Sequence, residues 1–343
     1  MRGGITMSLI SRVARRLGRR FGRVPVARAL AVATLAGAAL ISSAPAGAAT
    51  LATVVDAGTT FSGVVTVGTN VWAYAQGSCG ANPNEGYLDE FNQFGQLVRS
   101  IDVGPAVLPC PSPAPGEFGT TEPIATNGTL VAVLNGAGVT VVDGVTGQTV
   151  SRWTAPPPFA FIFQGQPSMA FSGSNLVLAD AGTLWVSSVQ GSLSLATTTC
   201  YGSTGLALDG AVAFVACPIQ GVIDAVSLGT GALSATQSVS QTPMTGIVAA
   251  GGYGYFPVGN EPTLGRLALP GLYAAGGIPF PSNGVTLGGG TLGAMAVVGS
   301  TLWVASAQVG ELWPVPLATR VPGTAVILPS SAVSIAGEGG VVW

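Results

Sequence analysis

The chain has 343 residues, 48% of them hydrophobic, with 51 glycines, 24 prolines, no histidine and no lysine. Twelve arginines face fourteen acidic residues. Without histidine there is no His-based triad, imidazole proton relay or His-ligated metal, and without lysine no Schiff base.

The first 48 residues do not read as fold. Arg2, Arg12, Arg15, Arg16, Arg19, Arg20, Arg23 and Arg28 precede an apolar run from Ala29 to Ile41, and small residues follow at Ala46 and Ala48. A basic region, an apolar core and an A-x-A site describe a secretory signal peptide. The core is about a dozen residues, short of the roughly 18–20 that span a bilayer. Met7 serves equally well as a start. The pairs Arg15–Arg16 and Arg19–Arg20 hint at twin-arginine export, although Gly22 and Arg23 stand where that signal is apolar. No cysteine marks a lipid-anchor site. The expected mature chain begins near Ala49 and is secreted, remaining extracellular or associated with the cell wall.

Removing 1–48 leaves Arg99, Arg152, Arg266 and Arg320 against all fourteen acids, a net charge of −10. Clustered cations that could displace counterions are missing, so nucleic acid and anionic membranes are set aside as partners. Abundant glycine, valine, threonine and serine favour many short strands joined by tight turns. No long stretch carries a 3.6-residue apolar period.

Leu51–Val55 is an isolated strand-like run. Gly63–Ala75 is two apolar runs around Gly68, with Trp72 in the second, and versions of it recur. Pro123–Leu134 turns at Gly128, Ser168–Ala179 at Gly173, and Thr204–Cys217 at Asp209–Gly210. Thr245–Val258 turns at Gly251–Gly252, Gly293–Ser306 at Gly299, and Ala332–Trp343 at Glu338–Gly340. The turn glycines 68, 128, 173, 210, 252, 299 and 339 lie about 45 residues apart, the length of a four-stranded propeller blade. Gln96–Val103, Val139–Gly147 and Gly221–Gly231 read as outer strands sharing an apolar–Asp–turn ending. The fold expected is all-β: one β-propeller domain over 49–343 with seven four-stranded blades, six or eight remaining open. Leu51–Val55 would join the C-terminal blade and close the ring, which removes an exposed edge. Trp72, Trp303 and Trp343 would pack between blades. A transmembrane barrel needs strands of about 9–11 residues and fits poorly.

The hairpins of type apolar–Ala–x–x–Gly–x–x–Leu–Trp–Val–Ala, followed by Val–Ile–Asp–turn–Gly, resemble the NHL, YVTN and streptogramin-lyase group of propellers over essentially the whole mature chain. That resemblance implies a scaffold. The lyases use a catalytic histidine, which this chain lacks, so their activity does not carry over. Asp180–Trp185 partly resembles the sialidase Asp-box, itself a turn motif.

Four cysteines in an exported chain imply two disulfides. Loops after second strands and loops between blades share one face, which favours Cys79–Cys110 and Cys200–Cys217. Blade one carries two additions on that face, Gln76–Gly86 and the proline-rich Gly104–Glu122, offering Asn82, Asn84, Glu85, Tyr87 and Asp89 to a ligand or partner. Phe159, Phe161 and Phe163 alternate in the next linker, forming an apolar strip if exposed. Asp102, Asp143 and Asp224 recur before turns and are expected to accept bonds from following N–H groups. The function expected is a non-catalytic binding or scaffold module, monomeric and without cofactor, for a protein, glycan or small molecule of the envelope. The alternative is a carboxylate-dependent hydrolase or lyase acting on sugars or lactones, with Ca²⁺ assistance. Its two carboxyls would have to come from different blades, and no D-x-D-x-D-G loop marks a calcium site.

Overall fold

A computed structural model of the chain describes residues 41–42, 61–76, 85–105, 124–135, 137–154, 167–180, 182–200, 202–239, 246–258, 262–279, 292–306, 310–328, 334–338 and 341–342. Every regular element among them is a strand. A short strand β1 (Ile41–Ser42) precedes six antiparallel sheets. Blade 1 comprises β2 (Phe61–Val67), β3 (Asn70–Gln76), β4 (Gly86–Phe91) and β5 (Leu97–Gly104). Blade 2 comprises β6 (Ile124–Thr126), β7 (Leu130–Asn135), β8 (Gly138–Asp143) and β9 (Thr149–Trp153). Blade 3 is β10 (Ser168–Ser172), β11 (Asn175–Asp180), β12 (Thr183–Ser188) and β13 (Leu193–Thr198). Blade 4 is β14 (Gly205–Asp209), β15 (Val212–Cys217), β16 (Val222–Ser227) and β17 (Leu233–Ser238). Blade 5 has β18 (Val248–Ala250), β19 (Tyr253–Pro257) and β20 (Thr263–Ala268), its fourth place split between β21 (Tyr273–Ala274) and β22 (Ile278–Pro279), which both pair with β20. Blade 6 is β23 (Leu292–Val298), β24 (Thr301–Ser306), β25 (Glu311–Pro316) and β26 (Val326–Ile327).

The chain is a β-propeller with six four-stranded blades, not seven. The seventh hairpin exists but is stunted: β27 (Gly337–Glu338) and β28 (Val341–Val342) are two residues each, and β1 adds a third strand beside β28. This small sheet still occupies a place in the ring. Innermost strands neighbour one another from β2 through β6, β10, β14, β18 and β23 to β27, which lies against both β23 and β2. The repeat spacing counted hairpins correctly and overcounted full blades. An N-terminal strand does join the last sheet, but it is Ile41–Ser42, from the apolar run read as leader. Leu51–Val55 lies outside the described residues.

The core is a series of inter-blade layers. Trp72 is fully buried in a cluster that includes Val131, Val133 and Val142 of blade 2. Its indole Nε1–H donates to Gly144 O at 3.2 Å. Trp303 packs with Val326, Ile335 and Val342, joining blade 6 to the stunted sheet. Both tryptophans therefore seal blade boundaries, as their position in the repeat implied; Trp343 lies outside the described residues. Each such layer buries large apolar side chains, worth roughly 1.5–3 kcal/mol apiece. Blade 1 also meets the closing segment through Val64 N–H, which donates to Ser334 Oγ at 3.2 Å.

The blade-4 turn differs from its reading by one residue. Asp209 pairs with Val212, so Gly210 and Ala211 form the loop. Gly210 alone of these two has positive φ, +58°, the pattern of a two-residue hairpin whose first central residue must be glycine.

Candidate functional site

The strand order gives the ring two unlike faces. First-to-second and third-to-fourth strand turns, all short in blades 1 to 4, lie on one face, here the hairpin face. Second-to-third strand loops and the blade-to-blade linkers lie on the other, the linker face. Cys200 and Cys217 are on the linker face and form the disulfide foreseen from the sequence, with Cα atoms 5.8 Å apart. Gly205 faces Ala216, two positions from the pairing that a turn centred on Asp209–Gly210 implies. The bond forms because Cys200 comes from the linker before β14. Cys79, Cys110, Asn82, Asn84, Phe159, Phe161 and Phe163 lie outside the described residues.

Glu85 and Tyr87 stand at the linker end of β4, and Asp89 lies further along the strand, opposite Ala73. The Tyr87 hydroxyl donates to the Glu85 carboxylate, and Tyr87 and Asp89 share one face of β4 by strand alternation. Asp89 is buried. Glu90 points the opposite way, against Arg99 Nε at 2.5 Å, and accepts from Asn70 Nδ2 at 2.6 Å.

The three recurring aspartates are not equivalent. Asp143 ends β8 and accepts from Val145 N–H at 3.0 Å and Thr146 N–H at 2.7 Å. The Thr146 amide bond holds its carboxyl below the ordinary 3.8, with Arg99 adding a smaller pull. Asp102 likewise accepts from Gly104 N–H at 2.8 Å. Asp224 instead sits mid-strand in β16, buried, and accepts from Thr236 Oγ1 at 2.7 Å. The residue matching Asp143 in blade 4 is Ser227: Gly147 N–H bonds Asp143 O as Gly231 N–H bonds Ser227 O. The sequence alignment of these repeats was therefore three residues out of step. Asp224 lies beside the disulfide. Cys200, Cys217 and Asp224 are the one His/Cys/Asp/Glu trio with metal-ligand spacing among the described residues, and the bond between the two sulfurs leaves only a carboxylate there.

The feature that sequence reasoning missed is the ring's centre. Innermost strands of five blades surround an open pocket of about 360 Å³, lined by Val65, Thr126, Ala170, Leu206, Leu208, Val248 and their neighbours. No lining residue is charged, and Thr126 is the single one with a polar side chain. Its hydroxyl is already committed, donating to Leu130 O at 2.8 Å and accepting from Gly128 N–H at 3.0 Å. Side chains thus leave no spare hydrogen-bonding group on this wall. The signal in the sequence was the all-apolar character of the first run of each hairpin (Leu206-Ala-Leu208, Ile247-Val248-Ala249). A strand's two faces cannot be assigned before the ring is built, so that signal alone does not disclose a channel.

No protein-family model and no curated protein matches the chain. Among solved structures, the crystal structure of the computationally designed Ika8 protein is similar, with a TM-score of 0.54, 13% sequence identity, and coverage of 83% of this chain and 92% of that one. Structural likeness extends to 1356 chains, so the fold is widespread. It speaks for architecture alone.

Proposed function

We propose that the protein is an exported, non-catalytic binding module whose ring holds an apolar small molecule or acyl chain in its central channel. The carrying observation is the channel wall, five strands deep in Val, Ala, Met, Phe, Leu and Ile, whose single side-chain hydroxyl is spent on its own turn. Ligand pockets of about 300–1,000 Å³ lined mainly by apolar side chains are the common form of small-molecule site; here the side chains other than that of Thr126 are apolar, and backbone groups of the innermost strands supply the polar part of the wall. The scaffold is akin to that of the NHL and YVTN group. Glu85 and Tyr87, with Asn82, Asn84 and the Phe159–Phe163 strip, would supply a polar and aromatic rim on the linker face, while Asp89 is buried within β4 and stands apart from it.

The hydrolase or lyase alternative draws little from five of the described carboxylates. Glu90 is neutralised by Arg99, Asp102 and Asp143 are tied into turns, and Asp224 is bonded by Thr236. Asp89 and Glu90 are consecutive on one strand and point to opposite faces, so they do not flank one scissile bond.

In the same reading residues 1–48 are removed on export. Strand β1 then leaves with the leader, and Leu51–Val55 is the apolar segment at the new N-terminus to replace it beside β28. Intact mass of the secreted protein checks this: a start near Ala49 is expected, and retention of Ile41–Ser42 contradicts it.

The channel is tested by titrating a neutral dodecyl glycoside, below its micelle concentration, into the wild type and into Ala170→Phe and Ala249→Phe. Both alanines line the cavity. Saturable binding lost in both variants, with melting temperatures preserved, supports the reading. Equal binding in all three proteins refutes it.

A further inference from the structure

Away from the channel and the linker face, two of the four arginines outside the leader converge on one ring. Tyr253 opens β19 just after the Gly251–Gly252 turn. The guanidinium carbon of Arg266, from β20, lies 4.9 Å from its ring centroid, and that of Arg320, from the turn after β25, lies 4.6 Å away. Both are cation–π contacts, and both belong to the hairpin face where blades 5 and 6 adjoin.

Neither cation has an acidic partner among the described residues. The one ion pair among the described residues is Arg99–Glu90. Arg152 is held by Asp102 O at 2.6 Å. Arg266 donates one Nη2 bond to Ala275 O, and the Arg320 side chain makes no hydrogen bond to the described residues. The Nε atoms of both are shut away from solvent without an acceptor, so water does not offset their charge there, and both residues are only partly buried. Arg320 also holds a left-handed backbone, φ +57°, one of two non-glycine residues to do so among those described. Such conformations persist where the surroundings fix them and concentrate at binding sites. In a mature chain of net charge −10, two guanidinium groups on one tyrosine, without an ionic partner among the described residues, form a charged patch of opposite sign to the rest of the molecule.

We propose that Arg266, Arg320 and Tyr253 form an oxyanion-binding site between blades 5 and 6, taking a small molecule that carries a carboxylate, phosphate or sulfate. The guanidinium forks supply charge-assisted, bidentate bonds to such groups. Tyr253 fixes both heads in place and limits the entropy lost on binding. The site does not depend on the channel reading.

Calorimetric titration of the full mature chain at low ionic strength, with inorganic phosphate, sulfate and glucuronate as probes and chloride as the control, tests it. At least one probe should bind saturably, and Arg320→Gln should weaken that binding about tenfold or more, a loss of about 1.4 kcal/mol per factor of ten. Binding should fall as sodium chloride is raised. Which probe binds separates tetrahedral anions from carboxylates. Arg320 lies in a turn, so its variant should melt close to wild type in chloride, and Arg266→Gln gives a second reading. Absence of saturable binding by all three probes overturns the proposal, as does unchanged affinity in folded Arg320→Gln.

Discussion

Gly205→Ala probes the contact that keeps blades 4 and 5 in register. Gly205 opens the innermost strand of blade 4 and is buried. A methyl group there would stand 2.6 Å from Gly246 Cα and 2.8 Å from Ile247 N. Carbon pairs rest at about 3.5–4.0 Å, so the overlap approaches an ångström, and the atoms it meets are backbone. No rotamer change relieves it; two innermost strands must separate. Overpacking of this kind costs about 1–3 kcal/mol, and the rigid neighbour places Gly205→Ala at the upper end. Gly246→Ala is the matched control, because its methyl meets nothing within 4 Å and its backbone is not left-handed. Restricting the unfolded chain should leave that variant neutral or more stable by roughly 0.4–1 kcal/mol. Urea unfolding followed by far-ultraviolet circular dichroism reads both. A Gly205→Ala stability within about 0.5 kcal/mol of wild type, or an equal loss in Gly246→Ala, would refute the argument.

Replacing Cys200 and Cys217 together by serine opens a crosslink between residues 17 apart in sequence. Chain-entropy arguments give roughly 3 kcal/mol, to be read as a lower urea midpoint; an unchanged midpoint would contradict it. Trp72→Phe removes the indole bond to Gly144 O and leaves a buried carbonyl unsatisfied, which should cost about 1–3 kcal/mol in the same assay. Asp143 has a depressed pKa because Thr146 N–H bonds its carboxylate. Its contribution is therefore present above the unfolded value of about 3.9 and is lost as pH falls through the lower folded value. Asp143→Asn should flatten the acid limb of the melting curve, by a small amount because the group is exposed to solvent.

The sequence made the hairpins legible because glycine turns and tryptophans repeat at a period set by blade size. Gly68, Gly128, Gly173, Gly210, Gly252 and Gly299 all take positive φ, for the reason they stood out. Blade count was less legible, since a hairpin's sequence says nothing of whether partners exist for its outer edge, and β27–β28 finds only β1. Register was least legible. Asp143 and Asp224 look alike in Val–Val–Asp and Val–Ile–Asp, yet one ends a strand and the other lies buried in the middle of one. Polar residues near turns are interchangeable among Asp and Ser, as Asp143 and Ser227 show, so the eye aligned the wrong pair. Both sites proposed here depend on juxtaposition across blades. The channel needs five strands from residues 65 to 249, and the Tyr253 cluster needs Arg320 from the next blade. No local motif announces either.

The channel is the central claim, and the affinity of a homologous series of neutral alkyl glycosides, from six to sixteen carbons, tests it most directly. If the chain lies in the ring's apolar centre, each methylene should strengthen binding by about 0.8 kcal/mol until the cavity is filled, after which further carbons add nothing. Binding that is absent, or that does not change with chain length, would contradict the account.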